Sequence, residues 1–272
     1  MSVIPVKEIS QILSEANGDV GLYIEDCQTG EVFTVNGEKT FPSASTIKVP
    51  VLALLLEDAQ NGVIDLDEPR EIAEANRVPN GVIVSMNKSF KPTLRDMAWL
   101  MIVVSDNLAT NEIIDVVGYD RFNEFWEKWG CRNTKLKRKM MDSQALKEGR
   151  DNLCTASDMG RILSAVARNE LINAEISQQM FNMMRDQKLT MRLPHLLPTT
   201  TVYNDDGEVP EGMVMVSHKT GSNPGLVHDA GIFELPGHRR YVVAAYTRNF
   251  PSVAEATVFI NKVSLAVYNG MK

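Results

Sequence analysis

Cysteine and histidine are both scarce in this chain. The three cysteines, Cys27, Cys131 and Cys154, are odd in number and far apart, which excludes a disulfide framework and a zinc knuckle. The four histidines, His195, His218, His228 and His238, show neither H-x-H nor H-E-x-x-H spacing, so no metal and no cofactor is expected. No apolar run is long enough to cross a bilayer, and residues 1–15 lack the apolar core of a signal peptide. A cytoplasmic location is expected if the start is native, and a secreted or periplasmic one if a leader has been removed. Positive charge is in deficit too. Lys and Arg number 28 against 35 Asp and Glu, giving a net charge of −7 and a pI of about 5.2. Nucleic acid and anionic membrane are therefore not expected as partners. A small molecule is the expected partner, and the oligomeric state stays open.

What is present is ordinary globular material: 272 residues, 44% hydrophobic and 23% charged, enough for a sizeable core. Periodicity predicts a short amphipathic helix over 3–16, then strands over 20–26 and 31–35 around a turn at Gln28-Thr29-Gly30. Residues 36–40, Asn-Gly-Glu-Lys-Thr, have the look of a phosphate loop, but Glu38 interrupts the Gly-Lys pair, so they read as a turn. Residues 46–61 form a strongly apolar, buried helix. A helix over 93–104 begins with Thr93 as N-cap and Asp96 in a capping box. Helices follow over 107–117, 120–129, 157–167 and 174–185. Residues 135–153 read as a long polar loop, and 193–212 as an exposed connection. Strands over 213–220, 226–235 and 241–248 precede a closing helix over 252–268. The whole predicts an α/β (α+β) protein of one domain over 1–272. Its α/β lobe is built from about 1–40 and 211–272, with a helical lobe from about 41–210 between them.

Three short motifs carry the chemistry. Ser45-x-x-Lys48 stands at the start of the buried helix, where residues i and i+3 share a face and unpaired N–H groups favour negative charge. Taken alone it is weak: roughly one Ser-x-x-Lys is expected by chance in a chain of this size, and Ser85-x-x-Lys88 is a second. Ser45 can equally be a plain N-cap. Ser105-Asp106-Asn107 and Lys219-Thr220-Gly221 then follow in order. With their flanks, Phe41-Pro42, Asn111 and His218, these motifs resemble the signature of class A β-lactamases and penicillin-binding proteins. The resemblance covers most of the chain.

The resemblance implies a β-lactamase/transpeptidase-like fold, an antiparallel sheet flanked by helices plus an all-helical lobe. It also implies a serine hydrolase that opens a β-lactam, or a related amide or ester bearing a carboxylate, through an acyl-enzyme on Ser45. Catalysis would use Ser45, Lys48, Ser105 and Lys219. Lys48 acts as base only if its pKa is lowered by burial or a second cation, and Lys219 is the candidate cation. The Ser45 N–H would be one oxyanion donor and, by resemblance, the Ser222 N–H the other. Asn107 would hold a substrate amide, with Thr220, Gly221 and Ser222 next to Lys219 at a substrate carboxylate. Asp106 reads as structural, and His228 is a candidate for the pocket border.

One departure stands out. The family carries a deacylating glutamate in a Glu-x-x-Leu-Asn pattern after the Ser-Asp-Asn segment. The comparable segment here runs from Lys135 to Gln144, framed by Arg138 and Asp151 as a possible ion pair, and Met140 stands where the glutamate is expected. Asp142 and Glu148 are the nearest carboxylates and the candidate replacement bases. The alternative expectations are a DD-peptidase- or esterase-like enzyme, or a β-lactam-binding protein that acylates and deacylates slowly.

Overall fold

A computed structural model of the chain describes residues 3–272. Of the N-terminal stretch read for a leader, Met1 and Ser2 lie outside the described residues. The helices are α1 (Val6–Ser14), α2 (Lys48–Gln60), α3 (Leu94–Val103), α4 (Asn107–Val117), α5 (Tyr119–Lys128), α6 (Ser143–Lys147), α7 (Ala156–Ala167), α8 (Ala174–Arg185) and α9 (Val253–Met271). The strands are β1 (Asp19–Asp26), β2 (Val32–Val35), β3 (Thr40–Pro42), β4 (Leu153–Thr155), β5 (Thr199–Thr200), β6 (Val214–Asn223), β7 (Leu226–Leu235) and β8 (Arg239–Arg248).

The main sheet has the order β2-β1-β8-β7-β6-β5. Pairings from β2 through β6 are antiparallel, while β5 joins β6 in parallel over two residues. The sheet is therefore mixed at one edge, where an antiparallel sheet and an exposed 193–212 connection were expected. A two-residue strand leaves no alternating pattern to read. Nor did β3 and β4, three residues each, which pair antiparallel in a small second sheet that closes the base of the nucleophile segment.

Alternation along the strands sends side chains to two cores. Leu22, Ile24, Val243 and Ala245 pack with α1 and α9 on one face, while Tyr23, Ala230, Ile232 and Ala244 face α2, α7 and the other helices. Both faces are covered, so β7 is buried along its whole length. Helix α2 threads the helical core with ten of its thirteen residues buried. Pro50 falls in its first turn, where a missing N–H breaks no helix bond. The predicted capping box at Thr93 and Asp96 is present. Among the described residues no helix is long and apolar enough to cross a membrane.

Candidate active site

Ser45 does not sit within α2 itself. It lies in a 3-10 turn, Ala44–Ile47, that leads into α2. Ala44, just before it, has φ 46°, a left-handed backbone that non-glycine residues rarely adopt. Ser105 (φ 60°) and Met141 (φ 63°) share this feature, so strained backbone gathers around one cleft. The cleft has a volume of about 460 Å³ and is lined by Ser45, Asn107, Met140, Asp142 and Ser222, among others.

Lys48 begins α2 and is fully buried. Its Nζ lies 2.8 Å from the Ser105 carbonyl, 3.0 Å from Ser105 Oγ and 2.9 Å from Asn107 Oδ1. Burial holds its pKa well below the usual amine value, and Lys219 pushes the same way while Asp106 opposes. A neutral amine donates two hydrogens and accepts one. The carbonyl and amide oxygens can only accept, so in the neutral form, which burial favours, the lone pair of Lys48 is left for a hydroxyl hydrogen. In this conformation that hydroxyl is Ser105; the Ser45 hydroxyl makes no hydrogen bond among the described residues. The hydrogen bond expected between Ser45 and Lys48 is not among those of Lys48, whose Nζ is drawn toward the Ser105 turn.

Asp106 is what holds that turn. It caps α4 by accepting from Ala109 N at 2.9 Å, and its other oxygen takes Val82 N (2.6 Å) and Ile83 N (2.9 Å). A Cβ on Gly81 would fall 2.5 Å from this carboxyl, so glycine is required there. Asn107, 8% exposed, gives one amide hydrogen to Pro79 O at 3.3 Å; the other is left for a ligand.

Lys219 lies on β6, fully buried, with Nζ donating to the Thr220 carbonyl at 2.9 Å. Burial pulls its pKa down to about 7, opposed by Asp229 and helped by Arg192. Gly221 lets the strand end close on the nucleophile turn: a Cβ there would lie 3.1 Å from Ser43 O and 3.3 Å from Ala44 Cβ. Ser222 consequently faces the same cleft as Ser45. Thr220 is buried beside the cleft and does not line it.

The opposite wall is the loop through Met140. Arg138 Nε meets Asp151 Oδ1 at 2.8 Å, the predicted ion pair. Asn152 accepts from Lys137 N and Arg138 N, and its carbonyl takes Ser43 N at 2.8 Å, which ties the loop to the nucleophile segment. Met140 is clasped by Asn111: Met140 N donates to Asn111 Oδ1 at 2.7 Å, and Asn111 Nδ2 donates to Met140 O at 3.2 Å. Its side chain is 7% exposed and lines the cleft.

The two carboxylates lining the cleft are both engaged: Asp142 caps α6 through Ala145 N (2.8 Å), and Asp151 holds Arg138. Glu148 is exposed, paired with Arg150 at 2.5 Å, and outside the lining. Ser85 and Lys88 are exposed, with Lys88 near Glu74, and neither lines the cleft. His228 does not border the cleft. It is fully buried, accepting from Thr247 N at Nδ1 (3.1 Å) and therefore donating from Nε2 to Pro42 O (2.9 Å). Burial pulls its pKa down to about 4, so it is a neutral brace under the nucleophile segment.

Arg192 was not anticipated. Its guanidinium donates to Gly221 O (2.9 Å), His228 O (2.5 Å) and the Ser222 hydroxyl. It stands in an irregular segment with no motif near it, so no pattern pointed there.

The fold is that of class A β-lactamases. A beta-lactamase from Sphaerobacter thermophilus superposes with a TM-score of 0.88 at 28% identity, over 98% of this chain and 97% of that one. PBP-A superposes at 0.83 with 26% identity, over 97% and 94%, and a PBP-A mutant has been solved as an acyl-enzyme complex with penicillin G. The chain belongs to the beta-lactamase enzyme family, whose model matches residues 5–271. Among curated relatives, beta-lactamase CARB-3 of Pseudomonas aeruginosa is 28% identical over 182 residues, covering 65% of this chain and 63% of that protein. A beta-lactamase of Bacteroides uniformis is 26% identical over 97% of this chain and 90% of its own length.

Proposed function

We propose that this protein, one domain over 1–272, is a serine hydrolase of β-lactams or related carboxylate-bearing amides and esters that acylates readily and deacylates slowly. The observation that carries this reading is the fully buried Lys48 amine, held among Ser105 O, Ser105 Oγ and Asn107 Oδ1. A structural lysine in that place would carry a heavy desolvation cost without return; a neutral one is a base.

In the acylation step the Ser45 hydroxyl loses its proton to Lys48, directly or through Ser105, as Oγ attacks the carbonyl carbon. The N–H groups of Ser45 and Ser222 receive the oxyanion. When the C–N or C–O bond breaks, Ser105 passes a proton to the leaving atom and is reprotonated by Lys48. Lys219, with Ser222 at the cleft wall beyond it, attracts the substrate carboxylate, and Asn107 takes the substrate amide. Gly221 allows the close approach. Hydrolysis of the ester then needs a base to activate water. Met140 cannot supply one, Asp142 is committed to capping α6 and Glu148 lies outside the cleft, so the acyl-enzyme is long-lived. Intact-protein mass spectrometry after mixing with penicillin G tests this: a mass increase by one penicillin on Ser45 is expected, absent in Ser45→Ala.

A further inference from the structure

Two side chains meet across the rim of the cleft and take no part in the acylation steps above. Asn80 Nδ2 lies 3.9 Å from Met141 Sδ, and both residues line the cleft. They belong to opposite walls. Asn80 is fastened to the Ser105 side: its carbonyl accepts from Asn107 N at 3.1 Å, and the carbonyl of Pro79 before it accepts from Asn107 Nδ2. Met141 follows Met140, which Asn111 holds through both backbone groups. Asn80 (φ 64°) and Met141 (φ 63°) both have left-handed backbone, which asparagine adopts more readily than methionine. Met141 is 46% exposed; among the described residues Met86 (44%) and Met191 (61%) are exposed to a similar degree, but neither lines the cleft. A thioether sulfur is a weak acceptor, so the contact between Asn80 and Met141 is loose enough for an entering substrate to part.

We propose that Met141 is an oxidation site whose sulfoxide tightens this contact and slows entry to the cleft, a redox clasp on the acylation site. The co-reactant is a peroxide. A sulfur lone pair attacks one peroxide oxygen, and the S–O bond forms as the O–O bond breaks. With hydrogen peroxide, the transferred oxygen gives its proton to the departing hydroxide, which leaves as water. Methionine loses two electrons and the peroxide gains them. The product is polar, chiral and open to reduction back to the thioether. Its oxygen is a stronger acceptor than the sulfur that carries it. Added on the lone pair that faces Asn80, it closes the 3.9 Å gap to ordinary hydrogen-bond length. Asn80 Nδ2 then donates to an oxygen, and the two walls are joined at the rim by a full hydrogen bond. Solvent reaches this sulfur, whereas neighbouring Met140 is 7% exposed, so oxidation falls on the rim rather than on the wall behind it.

The kinetic part of this proposal rests on the acyl-serine reading; the oxidation and the clasp do not. The test treats the full chain with hydrogen peroxide, locates each added oxygen by peptide mass mapping, and measures the second-order rate of acylation by penicillin G before and after. Each protein is compared with its own untreated rate. In the unmodified chain Met141 should gain an oxygen and the rate should fall about three- to tenfold, the worth of one added hydrogen bond. Met141→Leu has no sulfur at that place, and Asn80→Gly removes the amide while suiting the left-handed backbone; in both, treated and untreated rates should agree. An unoxidised Met141 in a chain whose Met86 and Met191 have gained oxygen overturns the site. A fall that persists in Met141→Leu or Asn80→Gly overturns the clasp, as does an undiminished rate in the unmodified chain once Met141 is fully oxidised. If the untreated chain forms no penicillin adduct, the proposed function fails instead, and the NMR signals of the Asn80 side-chain amide decide the clasp. A shift on oxidation that is absent in Met141→Leu supports it, and unmoved signals overturn it.

Discussion

The two walls of the cleft differ in kind. On one side, α2, the Ser105 turn and β6 bury two amines completely and give each an acceptor at 2.8–3.0 Å. On the other, the loop from Arg138 to Asp151 is held by Asn111, Asn152 and the Arg138–Asp151 pair, yet what it offers the cleft is Met140 and two carboxylates already in use. Rigidity is common to both walls; proton chemistry belongs to one. Burying unpaired amines is costly, and such a cost is retained where the neutral form does something. Nothing equivalent was retained on the loop. Under the proposed function, acyl transfer belongs to the first wall and a stalled hydrolysis to the second.

Breaking the first wall should have the largest effect. Ser45→Ala is expected to abolish the penicillin adduct altogether in intact-mass measurements, because it removes the hydroxyl that lines the cleft at the start of α2. Repairing the second wall should come next. Met140→Glu places a carboxylate where the methionine lines the cleft and should speed loss of the acyl group by about 10²–10⁴-fold, the usual worth of a positioned general base, as read by the return of the free-protein mass.

The first wall should also be the acid-labile one. His228 is buried neutral with a pKa of about 4 against roughly 6.5 when unfolded. Between those values the unfolded chain takes up the proton first, so stability falls as pH falls from 6.5 to 4, by about 3 kcal/mol from this group. Urea unfolding at pH 7 and pH 4 should show a smaller loss, by that amount, in His228→Gln. Lys219 gives a gentler signature. With its pKa near 7, the cation proposed to attract the substrate carboxylate is lost above neutrality, so the second-order acylation rate should fall by up to about tenfold per pH unit above 7. The smallest effect is expected at Asp142. Asp142→Asn keeps an oxygen for the Ala145 N–H and should leave the acyl-enzyme lifetime within about twofold; a tenfold longer lifetime would make Asp142 the base after all.

Much of the first wall was legible in the sequence because its residues fall in compact motifs on regular elements. A serine and lysine three apart at a helix start, and a lysine-threonine-glycine at a strand end, are local patterns whose meaning survives folding. Asp106 was readable as structural for the same reason, lying next to the residues it aims. What escaped was non-local. Arg192 reaches Gly221 and Ser222 from about 30 residues away in an irregular segment, and His228 reaches Pro42 across 186 positions. Its proximity to Lys219-Thr220-Gly221 in the chain suggested the pocket border, but strand alternation sends it into the core beneath the nucleophile segment. The Ser45–Lys48 hydrogen bond is missing for a related reason: helical spacing permits it, and the carbonyl and amide oxygens from the Ser105 turn hold the amine instead. On the second wall, the ion pair of Arg138 with Asp151 was readable from the loop frame, while the engagement of Asp142 as a cap was not, because a five-residue helix leaves little periodicity.

The most direct test of the difference between the walls is time-resolved intact-protein mass spectrometry with penicillin G, on the unmodified chain and Met140→Glu side by side. Rapid, stoichiometric acylation of both is expected, with an adduct that persists on the unmodified chain and is promptly lost from Met140→Glu. Prompt return of the unmodified chain to its free mass, at the same rate as Met140→Glu, would contradict slow deacylation at the Met140 wall.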